Sequence, residues 1–364
     1  MSRSHPGERA SRGSRGRGVE RADSGTVPGT RTARLRRWLG RRARLRWGGE
    51  EATGRSPWAR GRILAALAVL TSALLAFHST VPNTVGRFGS LLETFLPWLG
   101  LAVPLLLVLA LLRRSATALA ALLLPAAVWG SLFGGRVAAG DGGAHDVTAV
   151  QHNVSDVNAD PAGTARTLRD AGPDLIALEE LTPAALPVYE RGLAPEYPHR
   201  AVRGTVGLWS KHPLTEAGAV DIRPEGVGDG WNRGVRATAR TPWGDVAVYV
   251  AHLPSVRVQF HGFSSGRRDE SAGLLGAALA AEKLEKVILL GDFNGTVDDR
   301  GLDPVTTRVD SVGRDHFAFS WPAAFPVSRI DHVMTRSATV THVRTLPATG
   351  SDHLPVAAGI TLDP

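Results

Sequence analysis

Three long apolar runs dominate the first part of the chain. They are Ile63–Val81, Phe88–Leu112 and Ala116–Phe133, and each has about the ~20 residues that a helix needs to cross the hydrocarbon core of a bilayer. Glu93 is the only acidic residue in these runs, and it lies near the beginning of the second, where lipid headgroups would solvate it. The pattern therefore predicts three transmembrane helices within residues 61–136.

The second part of the chain alternates short apolar strands with amphipathic segments. Asp146–Asn153 and Trp243–Leu253 follow a strand pattern, and Glu270–Lys286 is rich in Ala, Leu and Glu, as helices are. Val287–Asn294 (VILLGDFN) begins with four apolar residues, which indicate a buried strand. Strands outnumber helices throughout residues 146–362, which favours an α/β domain with two sheets packed face to face and helices outside.

Charge divides the chain into two halves. Residues 1–137 carry 21 Arg against 6 Asp and Glu, whereas residues 138–364 carry 21 Lys and Arg against 28 Asp and Glu. Residues 1–60 are rich in Arg, Gly and Ser and are predicted to be a basic disordered tail. Within this tail, Thr32–Trp47 either stays solvated or lies on an anionic leaflet; Gly40 interrupts its apolar face and favours the solvated state. The chain has no cysteine, which excludes disulfides and thiolate zinc sites.

The distribution of arginine predicts the orientation of the three spans. The tail is heavily positive, and Arg113 and Arg114 lie between the second and third spans, whereas the loop between the first and second carries only Arg87. Positive loops stay in the cytoplasm. We therefore expect a multi-pass protein of the cell membrane with a cytoplasmic tail, a Gly-rich linker at 137–145 and a catalytic domain outside the cytoplasm.

Polar residues recur where the apolar strands of the second half end. Such carboxylates and amide oxygens hold Mg²⁺ or Mn²⁺ in proteins, and histidines beside them transfer protons or donate hydrogen bonds to developing charge. Gly291 is expected to let the chain turn sharply at the end of its strand. The strand-end residues are Asn153, Glu180, His252, Asp292, Asn294, Asp331, Asp352 and His353. Together they indicate a phosphoesterase that depends on a divalent cation.

At these residues the sequence resembles the endonuclease/exonuclease/phosphatase superfamily. The resemblance implies a four-layer α/β sandwich, in which helices flank two β-sheets, and Mg²⁺-dependent cleavage of a phosphate ester or anhydride, with Mn²⁺ as an alternative. The pieces occur in the order of the family and span nearly all of residues 146–360. They are QHN at 151–153, LEEL at 178–181, AHL at 251–253, GDFN at 291–294, RIDHV at 329–333 and SDHLPV at 351–356.

The resemblance also implies the metal-binding residues. Asn153 and Glu180 bind or order the metal, and Asp352 is a neighbour of it. The family usually has Gln at the position of Glu179. Glu180 is chosen as the ligand because it precedes the apolar residue, as the ligand of the family does; whether Glu179 shares this role stays open.

The catalytic roles follow from the same resemblance. His252 contacts the scissile phosphate. Asp292 orients the attacking water, with Asn294 beside it. Asp331 pairs with His353, sets its tautomer and raises its pKa.

Charge and topology narrow the range of possible substrates. A nonspecific nuclease draws its affinity from Lys and Arg, and the acidic catalytic half disfavours nucleic acid. Arg233, Arg267 and Arg268 are candidates to grip a phosphate or pyrophosphate, although the sequence equally allows them to be solvated. The architecture resembles the membrane-bound teicoplanin-resistance-associated (VanJ-like) proteins of actinomycetes. That resemblance implies a role in glycopeptide resistance, with the bilayer and a lipid-linked phosphate, such as a polyprenyl pyrophosphate, as partners.

Two alternatives remain at this stage. A membrane-tethered endonuclease or exonuclease would use the same site on nucleic acid. A catalytically dead binding module on the same scaffold is disfavoured because the set of strand-end residues is complete. No protein partner is inferred.

Overall fold

The computed structural model describes residues 58, 60–138, 143–260, 262–313 and 316–362. The predicted basic tail therefore lies almost entirely outside the described residues, as does the middle of the predicted linker. The first described elements are helices. They are α1 (Arg62–Ala76), a 3₁₀ turn (His78–Thr80), α2 (Phe88–Thr94), a 3₁₀ segment (Leu96–Leu101), α3 (Ala102–Leu112) and α4 (Ala116–Ala138).

The prediction of three membrane-spanning helices is met only in part. Among the described residues, one helix, Ala116–Val137, is long and apolar enough to cross a membrane by length and composition. The first run ends as a helix at Ala76, after 15 residues, which is short of the ~20 that a span needs. The second run bends by 69° between Thr94 and Leu96, so it counts as a span only if both arms of the bend are taken together.

A buried ion pair that the sequence did not reveal lies beside the bend in the second run. Glu93 is 1% exposed and accepts hydrogen bonds from Arg300, at 2.9 Å from Nε and 2.6 Å from Nη2. The backbone N–H of Arg300 and the ring of His78 also contact the Glu93 carboxylate, at 3.0 and 3.1 Å. Glu93 is therefore held by Arg300 of the predicted catalytic domain rather than solvated by headgroups. We call this contact the Glu93–Arg300 junction.

Removing the carboxylate of this junction is expected to destabilise the protein. Glu93→Ala leaves the guanidinium and backbone N–H of Arg300 and the ring of His78 without their buried acid, and breaking a buried pair typically costs about 3 kcal/mol. Chemical denaturation of the full chain in detergent micelles measures this loss. The matched control is Glu190→Ala, which removes the acid of the surface pair Arg200–Glu190 and should cost less than about 1 kcal/mol. Equal losses for the two variants would show that the junction is not a strong contact.

The predicted catalytic domain, which we call the catalytic part, consists of two mixed β-sheets. The first has the strand order β12-β13-β1-β2-β4-β3 and the second β11-β10-β7-β6-β5. The strands of the first are β1 (Val147–Asn153), β2 (Leu175–Glu179), β3 (His199–Arg203), β4 (Val206–Ser210), β12 (Ala338–Thr345) and β13 (Val356–Leu362). Those of the second are β5 (Leu214–Ala219), β6 (Gly234–Thr241), β7 (Gly244–His252), β10 (Val287–Asp292) and β11 (Asp331–Arg336), while β8 (Val258–Gln259) and β9 (Gly262–Phe263) form a separate small hairpin.

Helices cover the outer face of each sheet. The inner faces of the two sheets form one shared hydrophobic core. Ala149 on β1 and Ile288 on β10 are fully buried in this core. The outer face of the first sheet packs on α5 (Pro161–Asp170) and α6 (Leu186–Leu193), and that of the second on α7 (Gly266–Ala281) and α8 (Asp303–Thr306). The predicted arrangement of two sheets flanked by helices is confirmed.

Candidate active site

Strand register gathers the predicted residues at one end of the two sheets. β10 runs parallel to β7 and antiparallel to β11, so that Asp292 lies opposite His252 on one side and Asp331 on the other. In the other sheet, β1 ends at Asn153, opposite Glu179 on the parallel strand β2. The two sheets meet here, because the Asn153 side chain donates to Asp292 across the interface at 3.0 Å.

Gly291 has a different function from the expected turn. It lies inside β10, and a Cβ at this position would come 1.9 Å from the carbonyl oxygen of Ala251. Glycine therefore permits the close approach of β10 to β7 that places Asp292 next to His252. The chain turns later, at Asn294, which has a positive φ of 47°. The Asn294 side chain donates to the Leu253 carbonyl at 2.9 Å and to Asp292 at 3.3 Å, so it fixes the orientation of Asp292.

Asp331 and His353 form a buried pair. His353 Nδ1 donates to Asp331 Oδ2 at 2.8 Å, and Asp331 also accepts from Gln151 at 2.9 Å and from Ser320 at 2.5 Å. Burial alone would lower the pKa of His353, but the carboxylates of Asp331 and Asp292 outweigh it and raise the pKa to about 10. His353 is therefore a cation at neutral pH, with its ring fixed by Asp331.

His252 has the opposite protonation state. Burial first, and then the positive charges of Arg233 and His353, hold the pKa of His252 well below its ordinary value. Its Nε2 atom lies 3.7 Å from Asp292 Oδ2 and 3.8 Å from Glu180 Oε1. The site thus offers one neutral and one protonated imidazole, and both lie near Asp292, whose Oδ2 atom is also 3.9 Å from His353 Nε2.

The carboxylates themselves fit a divalent cation. Asn153 Nδ2 donates hydrogen bonds to Glu180 at 3.1 Å and to Asp292 at 3.0 Å, so the two carboxylates lie close together. Burial, with a further contribution from Asp331, raises the pKa of Asp292 to about 7 although His353 opposes the rise. A hard cation with oxygen ligands would reverse this shift. Asp292, Asp331 and His353 also lie within reach of one ion, but a protonated His353 has no free lone pair, so the acids are the better ligands.

The two adjacent glutamates have different environments. Glu179 is fully buried at the end of β2, where burial raises its pKa well above the ordinary value, and it accepts from Gln151 at 2.8 Å. Glu180 has a positive φ of 58°, which turns its side chain away from β2 and towards His252. The structure therefore brings Glu180 to the site and leaves Glu179 in the core. Backbone strain of this kind often occurs at functional sites.

Asp352 lies at the edge of the group. Its side chain is exposed, in contrast to those of Asp292 and Asp331. Its carboxylate nevertheless helps to raise the pKa of His353. The geometry therefore places Asp352 beside the histidine rather than among the clustered acids.

The three candidate phosphate-binding arginines have different environments in the structure. Arg233 lies 3.3 Å from the His252 ring, and Arg267 is exposed in a cleft of about 670 Å³ that Arg233 also lines. Arg268 is wrong as a phosphate ligand. It is fully buried and is paired with Asp299 at 2.5 Å and with Asp269 at 2.7 Å, so it holds α7 to the loop that follows β10.

Three residues near the site were missed from the sequence. Gln151 donates to both Glu179 and Asp331, and Ser320 donates to Asp331. The signal for Gln151 was present, because it lies two residues before Asn153 and thus shares its face of β1. Arg257 lines the same cleft as Arg233 and Arg267, and Ser320 lies in a loop without a repeating pattern, so neither had a sequence signal.

Comparison with known proteins identifies the family of the chain. The sequence model described as the Endonuclease/Exonuclease/phosphatase family matches residues 138–353. Solved structures also match, including an endonuclease/exonuclease/phosphatase family protein from Bacteroides thetaiotaomicron (18% identity, TM-score 0.49, covering 60% of this chain and 98% of that one). Sphingomyelinase C from Streptomyces griseocarneus (18%, 0.43, 58% and 98%) and a Staphylococcus aureus beta toxin variant with bound magnesium ions (16%, 0.45, 59% and 99%) match similarly. No curated protein matches the sequence.

Proposed function

Because the chain belongs to the endonuclease/exonuclease/phosphatase family and is a metal-dependent hydrolase of phosphoric esters, we propose that it acts on a lipid-linked phosphate or pyrophosphate at a membrane surface. The substrate class that we favour is a polyprenyl pyrophosphate. The observation that carries this proposal is that the apolar helices pack directly on the two loops that support the site.

The first of these loops follows Asp292 and Asn294. The hydroxyl of Thr296 contacts the carbonyl oxygen of Glu93 at 3.5 Å, and Arg300 completes the Glu93–Arg300 junction. At the end of α4, Arg136 pairs with Asp298 at 3.0 Å. The loop after the catalytic strand β10 is thus fixed to the helices at three positions.

The second loop precedes Asp331. The Trp98 ring stacks on Phe319 with 5.6 Å between centroids, and its indole N–H donates to the Val327 carbonyl at 2.7 Å. Ser320, which follows Phe319, donates to Asp331. A substrate anchored among the helices would therefore have its headgroup close to the site.

The outer surface of the helices is suited to lipid. Large apolar side chains on α1, α3 and α4 are exposed, well beyond what the surface of a water-soluble monomer carries in one region. They include Ile63 at 75%, Leu105 at 61%, Leu112 at 75% and Leu123 at 71%. Exposure of this kind in all three helices supports a membrane anchor that includes the short first helix and the bent second one.

Arginine supports the proposed orientation. The Ser115 hydroxyl donates to the carbonyl of Arg60, which places the beginning of α1 beside the turn between α3 and α4. Arg62, Arg113 and Arg114 therefore lie at one end of the helices, whereas Arg136 and the catalytic part lie at the other. With the arginine-rich end in the cytoplasm, the catalytic part lies outside it.

Each side chain has a role in the proposed reaction. Glu180, Asp292 and Asn153, with Asp352 nearby, would hold Mg²⁺ or Mn²⁺, which supplies polarisation of a phosphoryl oxygen when bound. Asp292 orients the attacking water. His252 and protonated His353 donate hydrogen bonds to the phosphate oxygens as charge develops, and Asp331 keeps His353 protonated and oriented.

The arginines near the site and the overall charge indicate whether the substrate carries a second phosphate and whether it is a long polyanion. Arg233 and Arg267 are proposed to bind a second phosphate in the cleft next to His252. The acidic balance of residues 138–364, with 28 acids against 21 bases, disfavours a long polyanion such as DNA. Together with the resemblance to VanJ-like proteins, these features support a role in glycopeptide resistance through a phosphate-carrying lipid of the cell envelope.

The substrate class is tested with two substrates in parallel. The full chain in detergent micelles is offered a polyprenyl pyrophosphate and plasmid DNA, each with Mg²⁺ and with EDTA. We expect phosphate release from the lipid with Mg²⁺ and none with EDTA, because the clustered acids need their cation. Nicking of the plasmid without phosphate release from the lipid would instead establish the alternative, a membrane-tethered nuclease.

A further inference from the structure

An apolar groove lies between the helices and the catalytic part of the chain. It has a volume of about 450 Å³, within the range of ligand-binding pockets. The 3₁₀ segment and α3 form one wall, Ala126 and Trp129 of α4 the second, and Phe317 and Phe319 of the loop before Asp331 the third. Every residue that lines this groove, which we call the helix–loop groove, is apolar.

The side-chain N–H groups of the two tryptophans that line the groove already have partners. The indole N–H of Trp98 donates to the Val327 carbonyl at 2.7 Å, and that of Trp129 donates to the Pro97 carbonyl at 2.8 Å. The two rings therefore present apolar surface to the groove and offer it no N–H donor. A polar ligand would lose its hydrogen bonds to water here without replacement, whereas a hydrocarbon chain would lose none.

The groove is continuous with the lipid-facing surface of the helices. Leu101 lines the groove and is 59% exposed, and Leu105, one turn further along, is 61% exposed. On its other side, Phe319 is followed by Ser320, whose hydroxyl donates to Asp331. The groove thus connects the surface that we assign to the bilayer with the loop that supports the catalytic pair.

From this position we infer that the helix–loop groove binds the hydrocarbon chain of the substrate lipid beyond the isoprene unit that carries the phosphate. The inference rests on the proposed function. It assigns the selection of a prenyl chain to Trp98, Trp129 and Phe319, and it separates chain recognition from the arginines that would bind the phosphates. The groove then determines how the chain length of the lipid affects catalysis.

The inference is tested by filling the groove. Ala126→Phe places a ring in the groove from an exposed position of α4, so the fold should tolerate it. The matched control is Ala127→Phe, an equally exposed neighbour that does not line the groove. Rates are measured with a long-chain polyprenyl pyrophosphate in micelles and with isopentenyl pyrophosphate, which has the same headgroup and a chain of one isoprene unit.

For Ala126→Phe we expect kcat/KM on the long-chain substrate to fall by about tenfold, as it would if the ring excluded roughly two methylene groups. The rate on isopentenyl pyrophosphate should not change, and Ala127→Phe should match the wild type on both substrates. Equal rates of Ala126→Phe and wild type on the long-chain lipid would overturn the inference, as would equal losses on both substrates. If wild type hydrolyses neither substrate, the proposed function fails instead.

A binding measurement separates the groove from catalysis. A photoreactive polyprenol, which carries the chain but no phosphate, is irradiated with the full chain in EDTA. We expect cross-links at Trp98, Trp129 or Phe319 in wild type and their loss in Ala126→Phe. Cross-links elsewhere on the helices that Ala126→Phe leaves unchanged would show that the chain binds outside the groove, whatever the rates of hydrolysis.

Discussion

Replacing Asp292 with alanine is expected to abolish hydrolysis by roughly 10³-fold or more while leaving the protein folded. Asp292 is 1% exposed, and burial together with Asp331 raises its pKa to about 7 from 3.8. A raised carboxyl pKa means that ionisation opposes folding. The opposition grows as pH rises from about 4 to 7 and is complete above that. In EDTA, the variant should therefore melt at the same temperature as wild type or higher, with the largest gain above pH 7.

Magnesium provides the second measurement on this variant. Binding of the cation to the folded protein should raise the melting temperature of wild type, and Asp292→Ala should lose most of that rise. Asp245→Ala is the matched control, because Asp245 is an exposed acid near the opposite end of the neighbouring strand β7. It should behave as wild type in both respects. Full turnover by Asp292→Ala, or a magnesium-induced rise equal to that of wild type, would show that the cation site lies elsewhere.

Asp331→Asn is expected to reduce the rate by about 10²- to 10⁴-fold and to change its pH dependence. Burial lowers the pKa of His353, and once the charge of Asp331 is removed only Asp292 strongly opposes that effect. The pKa of His353 should therefore fall from about 10 towards or below its ordinary 6.5. His353 would then lose its proton as pH rises through neutrality. Activity of the variant should decline over that range, whereas wild type should keep its activity over the same range.

A pH–rate profile for kcat measures this effect, and Asp310→Asn serves as its control. Asp310 is exposed and accepts a hydrogen bond from the backbone N–H of Ser337, and it has no assigned role in the site. The same substitution there should leave the profile unchanged. A profile of Asp331→Asn that parallels wild type at a reduced rate would mean that Asp331 orients His353 without controlling its charge.

The strand-end residues were predictable because their signal is local. Val287–Asp292 is a run of apolar residues that ends in an acid, and a strand buried on both faces has that pattern. Strand pairing then brings these residues together, since parallel strands such as β7 and β10 have their carboxyl ends at the same edge of the sheet. The two flanked sheets followed from the same local pattern. The roles assigned to these residues remain predictions.

The contacts that the sequence could not reveal join distant positions. Glu93 and Arg300 are 207 residues apart, and nothing near either of them marks a partner. Arg268 looked like a free cation because Asp299, which neutralises it, follows 31 residues later. Hydropathy likewise located the apolar runs but not the bend between Thr94 and Leu96, because a hydropathy pattern does not report the distant partner of the neighbouring Glu93.

If the helices anchor the protein in a bilayer, as we propose, the Glu93–Arg300 junction and the Arg136–Asp298 pair also determine how the enzyme meets its substrate. A catalytic part on a free tether would sample a volume of solution, but one fixed to its anchor stays at the bilayer surface. Encounters are then two-dimensional, and the relevant concentration is the mole fraction of substrate in the leaflet rather than its amount per litre. Dilution of the substrate with other lipids would slow such an enzyme even when the bulk concentration of both is constant.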